Sequence, residues 1–249
     1  MSNSPRISVI TVVYNGEKHI GLTIESVLNQ SYPSIEYIIV DGKSTDGTLK
    51  VIASYPGIHK VISEPDQGLY DAMNKGMEAA TGDYVWFLNS GDQVFGSDTV
   101  ERMMEGIEDS PDIIYGGTMI IDEAQNEVGD RRLRPPAQLS WKSFRQGMVV
   151  CHQSLVVKRE LAPEYNLEYR FSADIDWAIR ASKKALVIHN SSLVLSRFLE
   201  GGLTDHNIKA GLKERFRIMT RFYGLIPTIL RHFLFGIRLT NYYLKHRRI

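Results

Sequence analysis

The side chains best suited to chemistry fall in four short polar clusters: Tyr14-Asn15, Asp41, Ser63-Glu64-Pro65-Asp66 and Asn89-Ser90-Gly91-Asp92. Each follows a run of apolar or β-branched residues that reads as a buried strand. A strand-end carboxylate such as Asp41 or Asp66 is a natural acceptor for ribose hydroxyls or base N–H groups. Asp92, just past Tyr84–Leu88, stands where an oxygen ligand for Mg²⁺ or Mn²⁺ would be placed, because hard cations take carboxylate and phosphate oxygens and often only one or two protein ligands. Singly, each acid is an ordinary turn former. Together, at one edge of one sheet, they favour a functional role. The chain has no Walker glycine loop and no G-x-G-x-x-G, so neither a P-loop nor the usual dinucleotide site is expected.

The elements that must position these residues alternate regularly. Ile7–Val13, Ile35–Val40, Val61-Ile62 and Tyr84–Leu88 read as strands. Between them, Ile20, Ile24, Val27 and Leu28 make a helical stripe, Leu49, Val51 and Ile52 sit on a short helix, and a third helix covers about 70–80. Such alternation predicts a doubly wound, mainly parallel α/β sheet with ligands beyond the carboxyl ends of its strands. After a helix near 98–108 the pattern loosens. Ile113–Asp122 and Val128–Arg134 read as antiparallel strands, and 149–157, 173–184 and 186–198 as strand, helix and strand. From Asn207 the chain is expected to be helical, with breaks near Gly224 and Pro227.

Length and composition bound the classes. The 249 residues suit one large domain, or one domain with an appendage, and an ordinary 23% charged and 43% apolar content makes a folded protein, not disorder, the default. The single cysteine, Cys151, excludes a disulfide framework or a multi-cysteine zinc site. Neither a secretory leader nor a membrane-spanning run is expected. The zero net charge conceals two unlike parts. Residues 1–214 hold 21 basic and all 29 acidic residues, net −8, whereas 215–249 hold eight basic residues and no acid, net +8. That asymmetry gives the tail an anionic partner or a solvated face.

The motifs resemble glycosyltransferase family 2, the nucleotide-sugar-dependent transferases of the GT-A fold. The matching segments are Ser8–Asn15, Ile39–Thr48, Ser63–Gly76 and Gly82–Asp92, with later echoes in Cys151-His152-Gln153, Ala173–Trp177 and Gly201–Thr204. Among its members the chain looks most like the transferases that build bacterial polysaccharides such as colanic acid and O-antigen. The resemblance implies a GT-A domain over 1–222, with a nucleotide-binding half (1–95) and an acceptor-binding, catalytic half (96–222), followed by a basic amphipathic helical tail (223–249).

The resemblance also assigns roles. Tyr14, Asn15 and Asp41 hold the base and ribose of a nucleotide-diphosphate sugar; Asp66, Asn74 and Lys75 complete that pocket; Asp92 binds Mn²⁺ or Mg²⁺ on the diphosphate. Asp174 is the general base of inverting transfer, with Asp176 its rival, and His152 and Gln153 lie near the diphosphate or the acceptor. Three departures stand out. Asn89–Asp92 keeps one carboxylate where many members have two or three. Asp41-Gly42 replaces a pair of acids, and Ala173 replaces the glutamate beside Asp174. A catalytically inactive nucleotide-sugar or glycan binder, and a nucleotidyltransferase, are the competing readings.

The tail mixes Leu225, Ile226, Ile229, Leu230 and Phe233 with arginines. Basic, aromatic helices too short to span lie in membrane interfaces, and a polyprenyl-diphosphate-sugar acceptor would explain a cytoplasmic enzyme held on the inner face of the cell membrane. Packing on the core or on a second copy of the chain is the alternative. No nucleic-acid partner is expected.

Overall fold

The computed structural model describes residues 4–105, 107, 110–201 and 207–233. Its first half follows directly from the apolar runs. Strands β1 (Ile7–Val13), β2 (Ile35–Asp41), β3 (Lys60–Ser63) and β4 (Tyr84–Asn89) are all parallel, in the order β3-β2-β1-β4. Helices α1 (Ile20–Leu28), α2 (Thr48–Ala53) and α3 (Leu69–Ala79) connect them. Alternate residues of β1 serve two cores. Ile10 and Val12 pack with Met73 and Phe87 on one face, while Ile7, Val9 and Val13 pack with Ile20 and Ile24 on the other. A strand covered on both faces needs no polar alternation, which is why the run is nearly continuous. Gly76 lets α3 lie close on the sheet, since a Cβ there would stand 2.4 Å from Ile10 Cγ2.

The register levels the strand ends. Val13 is opposite Asp41, Asp41 opposite Ser63, and Val12 opposite Asn89, so the polar clusters emerge at one edge.

The second half completes the same sheet, but it is mixed rather than mainly parallel. Here β5 (Gln93–Val94), α4 (Thr99–Glu105), β6 (Ile113–Ile121), β7 (Glu127–Asp130), β8 (Leu155–Lys158), α5 (Ala173–Lys184), β9 (Ile188–Leu199) and α6 (Ile208–Tyr223) follow in turn. Strand β8 inserts between β4 and β6, antiparallel to both; β6 runs parallel to β9, β5 antiparallel to β9, and β7 forms the expected antiparallel pair with β6. The full order is β3-β2-β1-β4-β8-β6-β9-β5.

The strand expected over 149–157 is shorter. Only Leu155–Lys158 pairs, because His152–Ser154 form a 3₁₀ turn closed by Ser154 N donating to Cys151 O (2.9 Å), with Trp86 Nε1 donating to Gln153 O (2.8 Å). A helix follows α6 over 225–233 after a break at Gly224 (φ +87°). Among the described residues no helix is long and apolar enough to cross a membrane.

Candidate active site

The first polar group is built on the β1, β2 and β3 ends. Asn15, at φ +50°, ties two loops together: its backbone N–H donates to Ser44 Oγ (2.8 Å) and its Oδ1 accepts from Thr45 N (2.8 Å). Tyr14 beside it is 64% exposed, an unusual position for a large ring. Asp41 is buried and accepts from Ser63 Oγ (2.7 Å) and from Ser44 N. Asp66 is half-buried, accepting from Gly68 N (2.8 Å). Its Oδ2 and the Tyr14 ring both close on Gly42, where an added Cβ would lie 2.3 Å and 3.5 Å from them. The glycine that replaces a second acid is therefore what lets Asp66 and Tyr14 converge.

Asn74 and Lys75 each hold a neighbouring segment. Asn74 Nδ2 donates to Tyr165 O (3.0 Å) and its Oδ1 accepts from Tyr165 N (2.7 Å), clamping the segment before α5. Lys75 donates to Pro65 O (2.7 Å) and pairs with Glu64 (2.9 Å) and Asp71 (3.5 Å), holding the loop that carries Asp66.

Asp92, just past the β4 end, is buried at 3% exposure. Its Oδ2 accepts from Gln153 Nε2 (2.7 Å) and its Oδ1 from Leu199 N (3.1 Å). Burial raises its pKa to about 7 even against these hydrogen bonds, and a cation beside it would hold it ionised. Among the described residues no three of His, Cys, Asp and Glu gather around a point. The donor set of this turn is nevertheless all oxygen: besides Asp92, buried Asn89 Oδ1 and Ser90 Oγ have no hydrogen-bond partner. One carboxylate with neutral oxygens fits a hard divalent ion whose other ligands are phosphate oxygens and water.

The Cys151–Gln153 turn joins this carboxylate to the α5 end. Cys151 Sγ donates to Gln153 Oε1 (2.6 Å), and burial pushes the thiol up to about 11. His152 is buried with Nε2 unpartnered; burial lowers its pKa, the Asp174 charge raises it, and the Arg131 charge lowers it. Asp174 lies in the first turn of α5, half-buried, with the Tyr70 hydroxyl 3.5 Å from its Oδ1. Tyr70 stacks on Tyr165 (5.4 Å), which stacks on Trp177 (5.2 Å), and Phe87 meets both Tyr165 and Trp177 edge-on. Asp176 faces the other way: fully buried, its Oδ2 accepts from Arg180 Nε at 2.6 Å. The two acids are thus separated into a half-buried carboxylate beside Tyr70 and a core ion pair.

Sequence reasoning did not anticipate Gln153 as the partner of Asp92, Tyr70 as the partner of Asp174, or Leu199 N at the end of β9. Only the Asp176–Arg180 spacing of four carried a local signal. Gly202–His206, which include most of the Gly201–Thr204 echo, lie outside the described residues.

The model of Glycosyl transferase family 2 matches residues 8–165, which contain every site segment up to the Cys151–Gln153 turn and the Asn74–Tyr165 clamp. The chain belongs to glycosyl transferase family 2. Full-length relatives agree. This family 2 chain is 32% identical to an uncharacterized glycosyltransferase of Mycobacterium tuberculosis, over 99% of the chain and 93% of the relative. It is 31% identical to a PGL/p-HBAD biosynthesis glycosyltransferase of Mycobacterium bovis (88% and 86%), and 30% identical to TuaG of Bacillus subtilis, a glycosyltransferase named for teichuronic acid biosynthesis (85% and 86%).

Among solved structures, S. aureus TarS 1–349 superposes with a TM-score of 0.71 at 18% identity, covering 98% of this chain and 76% of TarS. The mannosyltransferase PcManGT of Pyrobaculum calidifontis, in complex with GDP-Man and Mn²⁺, gives 0.64 at 18% (91% and 67%). The fold is that of the GT-A glycosyltransferases, with a helical C-terminal part.

Proposed function

We infer that the chain is an inverting transferase of the hexosyl type, moving a sugar from a nucleotide-diphosphate donor to a glycan acceptor, lipid-linked, in bacterial surface-polysaccharide synthesis. The relatives named for PGL/p-HBAD and teichuronic acid biosynthesis support the pathway class. The observation that carries the mechanism is the disposition of Asp174: half-buried at the positive end of α5, beside Tyr70, across the Cys151–Gln153 turn from Asp92.

In this reading Tyr14, Asp41 and Asp66 take the nucleoside, and Asn15, Asn74 and Lys75 hold the loops that carry them. Asp92 holds Mn²⁺ or Mg²⁺, which when bound neutralises charge on the diphosphate. His152 and Gln153 border the acceptor side. Asp174 removes the proton of the acceptor hydroxyl; that oxygen bonds to the anomeric carbon from the face opposite the nucleotide, and the carbon–oxygen bond to the diphosphate breaks. The tail rests on an anionic membrane surface at the cytoplasmic face, where a polyprenyl-diphosphate-sugar acceptor would be presented.

Asp174→Asn tests the base. Transfer should fall by about 10²–10⁴-fold, the usual worth of a general base, while donor binding followed by calorimetry stays within a few-fold. A variant that transfers sugar at the wild-type rate would refute the assignment. A wild-type protein that binds donor but never turns it over would make it the inactive binder.

A further inference from the structure

A cavity of about 270 Å³ opens between β6, β9 and the loop after β7, with Cys151 in its lining. It shares a wall with the site described above. Cys151 lines it, and from Cys151 two hydrogen bonds lead through Gln153 to Asp92. Its lining has two characters. Leu133, Pro135 and Val149 make an apolar side, while Thr118, Asn190 and the arginines Arg131 and Arg134 make a polar one.

The charges in it do not cancel. Arg134, 76% exposed, pairs with Asp130 at 3.0 Å, and Asp130 also lines the cavity. Arg131 is half-buried and makes no ion pair among the described residues; its one hydrogen bond there goes from Nη1 to Met148 O at 3.2 Å. A guanidinium has five N–H donors in a fixed fork suited to a bidentate oxyanion. A partly desolvated cation with one neutral acceptor is costly unless an anion completes it. Arg131 lines the same cavity as Cys151, the neighbour in sequence of His152 and Gln153.

We propose that this cavity is an acceptor subsite that takes an oxyanion-bearing group, a phosphate or a carboxylate, on Arg131, with an adjoining apolar or sugar ring against Leu133, Pro135 and Val149. The inference rests on the transferase reading for the word acceptor, but not for the binding itself. The volume suits one such group and its neighbour, not a whole glycan chain.

The test needs no donor and no turnover, so it can fail or succeed independently of the transferase assignment. Full-length protein in chelator is titrated with phenyl phosphate and, separately, with phenyl β-D-glucuronide, binding being followed by calorimetry. The first probe stands for a phosphate-linked acceptor and the second for an acidic sugar. At least one should bind with a Kd of about 1 mM or tighter. Arg131→Gln should weaken that binding tenfold or more, Arg131→Lys should weaken it less, and Val194→Trp, which fills the cavity without altering the arginine, should abolish it. Arg134→Gln and Asp92→Asn should stay within about threefold of wild type. Neither probe binding, or Arg131→Gln and Val194→Trp binding like wild type, would overturn the proposal. So would loss of binding in Asp92→Asn alone, which would place the anion in the donor site.

Discussion

Asn74 shows a polar side chain committed to the fold before any ligand arrives. Its amide meets the backbone N–H and C=O of Tyr165, so it fixes the segment that brings Tyr165 under Tyr70 and Trp177. Asn74→Ala leaves both backbone groups without their partner, each costing about 1–3 kcal/mol if it stays dry. Chemical denaturation should therefore show a loss of about 2 kcal/mol or more, with donor affinity moving less than threefold. A large affinity loss at unchanged stability would return Asn74 to the nucleotide pocket. The residue types at the site were legible in the sequence because each sits next to a strand end. Their partners were not. Gln153 is 61 positions from Asp92, and Tyr70 is 104 from Asp174, so no local pattern records either contact.

Elements divide along the same line. The β1–β4 half was legible because β1, β2 and β3 are each followed by a crossover helix, a pattern written locally in alternating periods. The β8 insertion was not, since Leu155–Lys158 could pair with any free edge and its place between β4 and β6 is settled by long-range packing. Within β2, one charge does structural work. Glu36 is buried and accepts from Ser8 Oγ, from Thr81 N (2.7 Å) and from Thr81 Oγ1 (2.6 Å), with Arg6 3.7 Å away. Burial pushes its carboxyl up, but the hydrogen bonds from Ser8 and Thr81, with the Arg6 charge, prevail and lower it from 4.5 to about 2. A carboxyl with a depressed folded-state pKa contributes stability that is complete above about 4.5 and lost as the pH falls toward 2. The shift corresponds to about 3 kcal/mol. Unfolding free energies measured from pH 6 to pH 2 should fall more steeply for the wild type than for Glu36→Gln by about that amount. Parallel profiles would show that Glu36 is not depressed in the folded chain.

For the whole molecule, the apolar residues after Gly224 acquire a surface. Residues 225–233 form a helix on which Leu225, Ile226, Ile229, Leu230 and Phe233 are exposed, at the spacing of a single stripe. Thr228 is buried and His232 meets Phe216 edge-on, so the opposite face is the one that packs on the body. Nearby, Trp141 stacks on Tyr223, with Lys142, Lys183 and Arg145 close over the pair. An exposed apolar stripe beside clustered cations and aromatic rings suits the boundary between lipid headgroups and acyl chains. Basic residues near an anionic leaflet add about 1 kcal/mol each, so a few suffice for reversible binding. The protein should therefore sediment with vesicles containing phosphatidylglycerol, bind phosphatidylcholine vesicles far less, and be released by high salt. Ile226→Glu with Ile229→Glu should weaken vesicle binding tenfold or more without lowering the melting temperature, since both side chains are already exposed. If the wild type ignores anionic vesicles and the same double variant instead converts a dimer to a monomer in sedimentation velocity, the stripe is an interface between two copies of the chain and the membrane assignment fails.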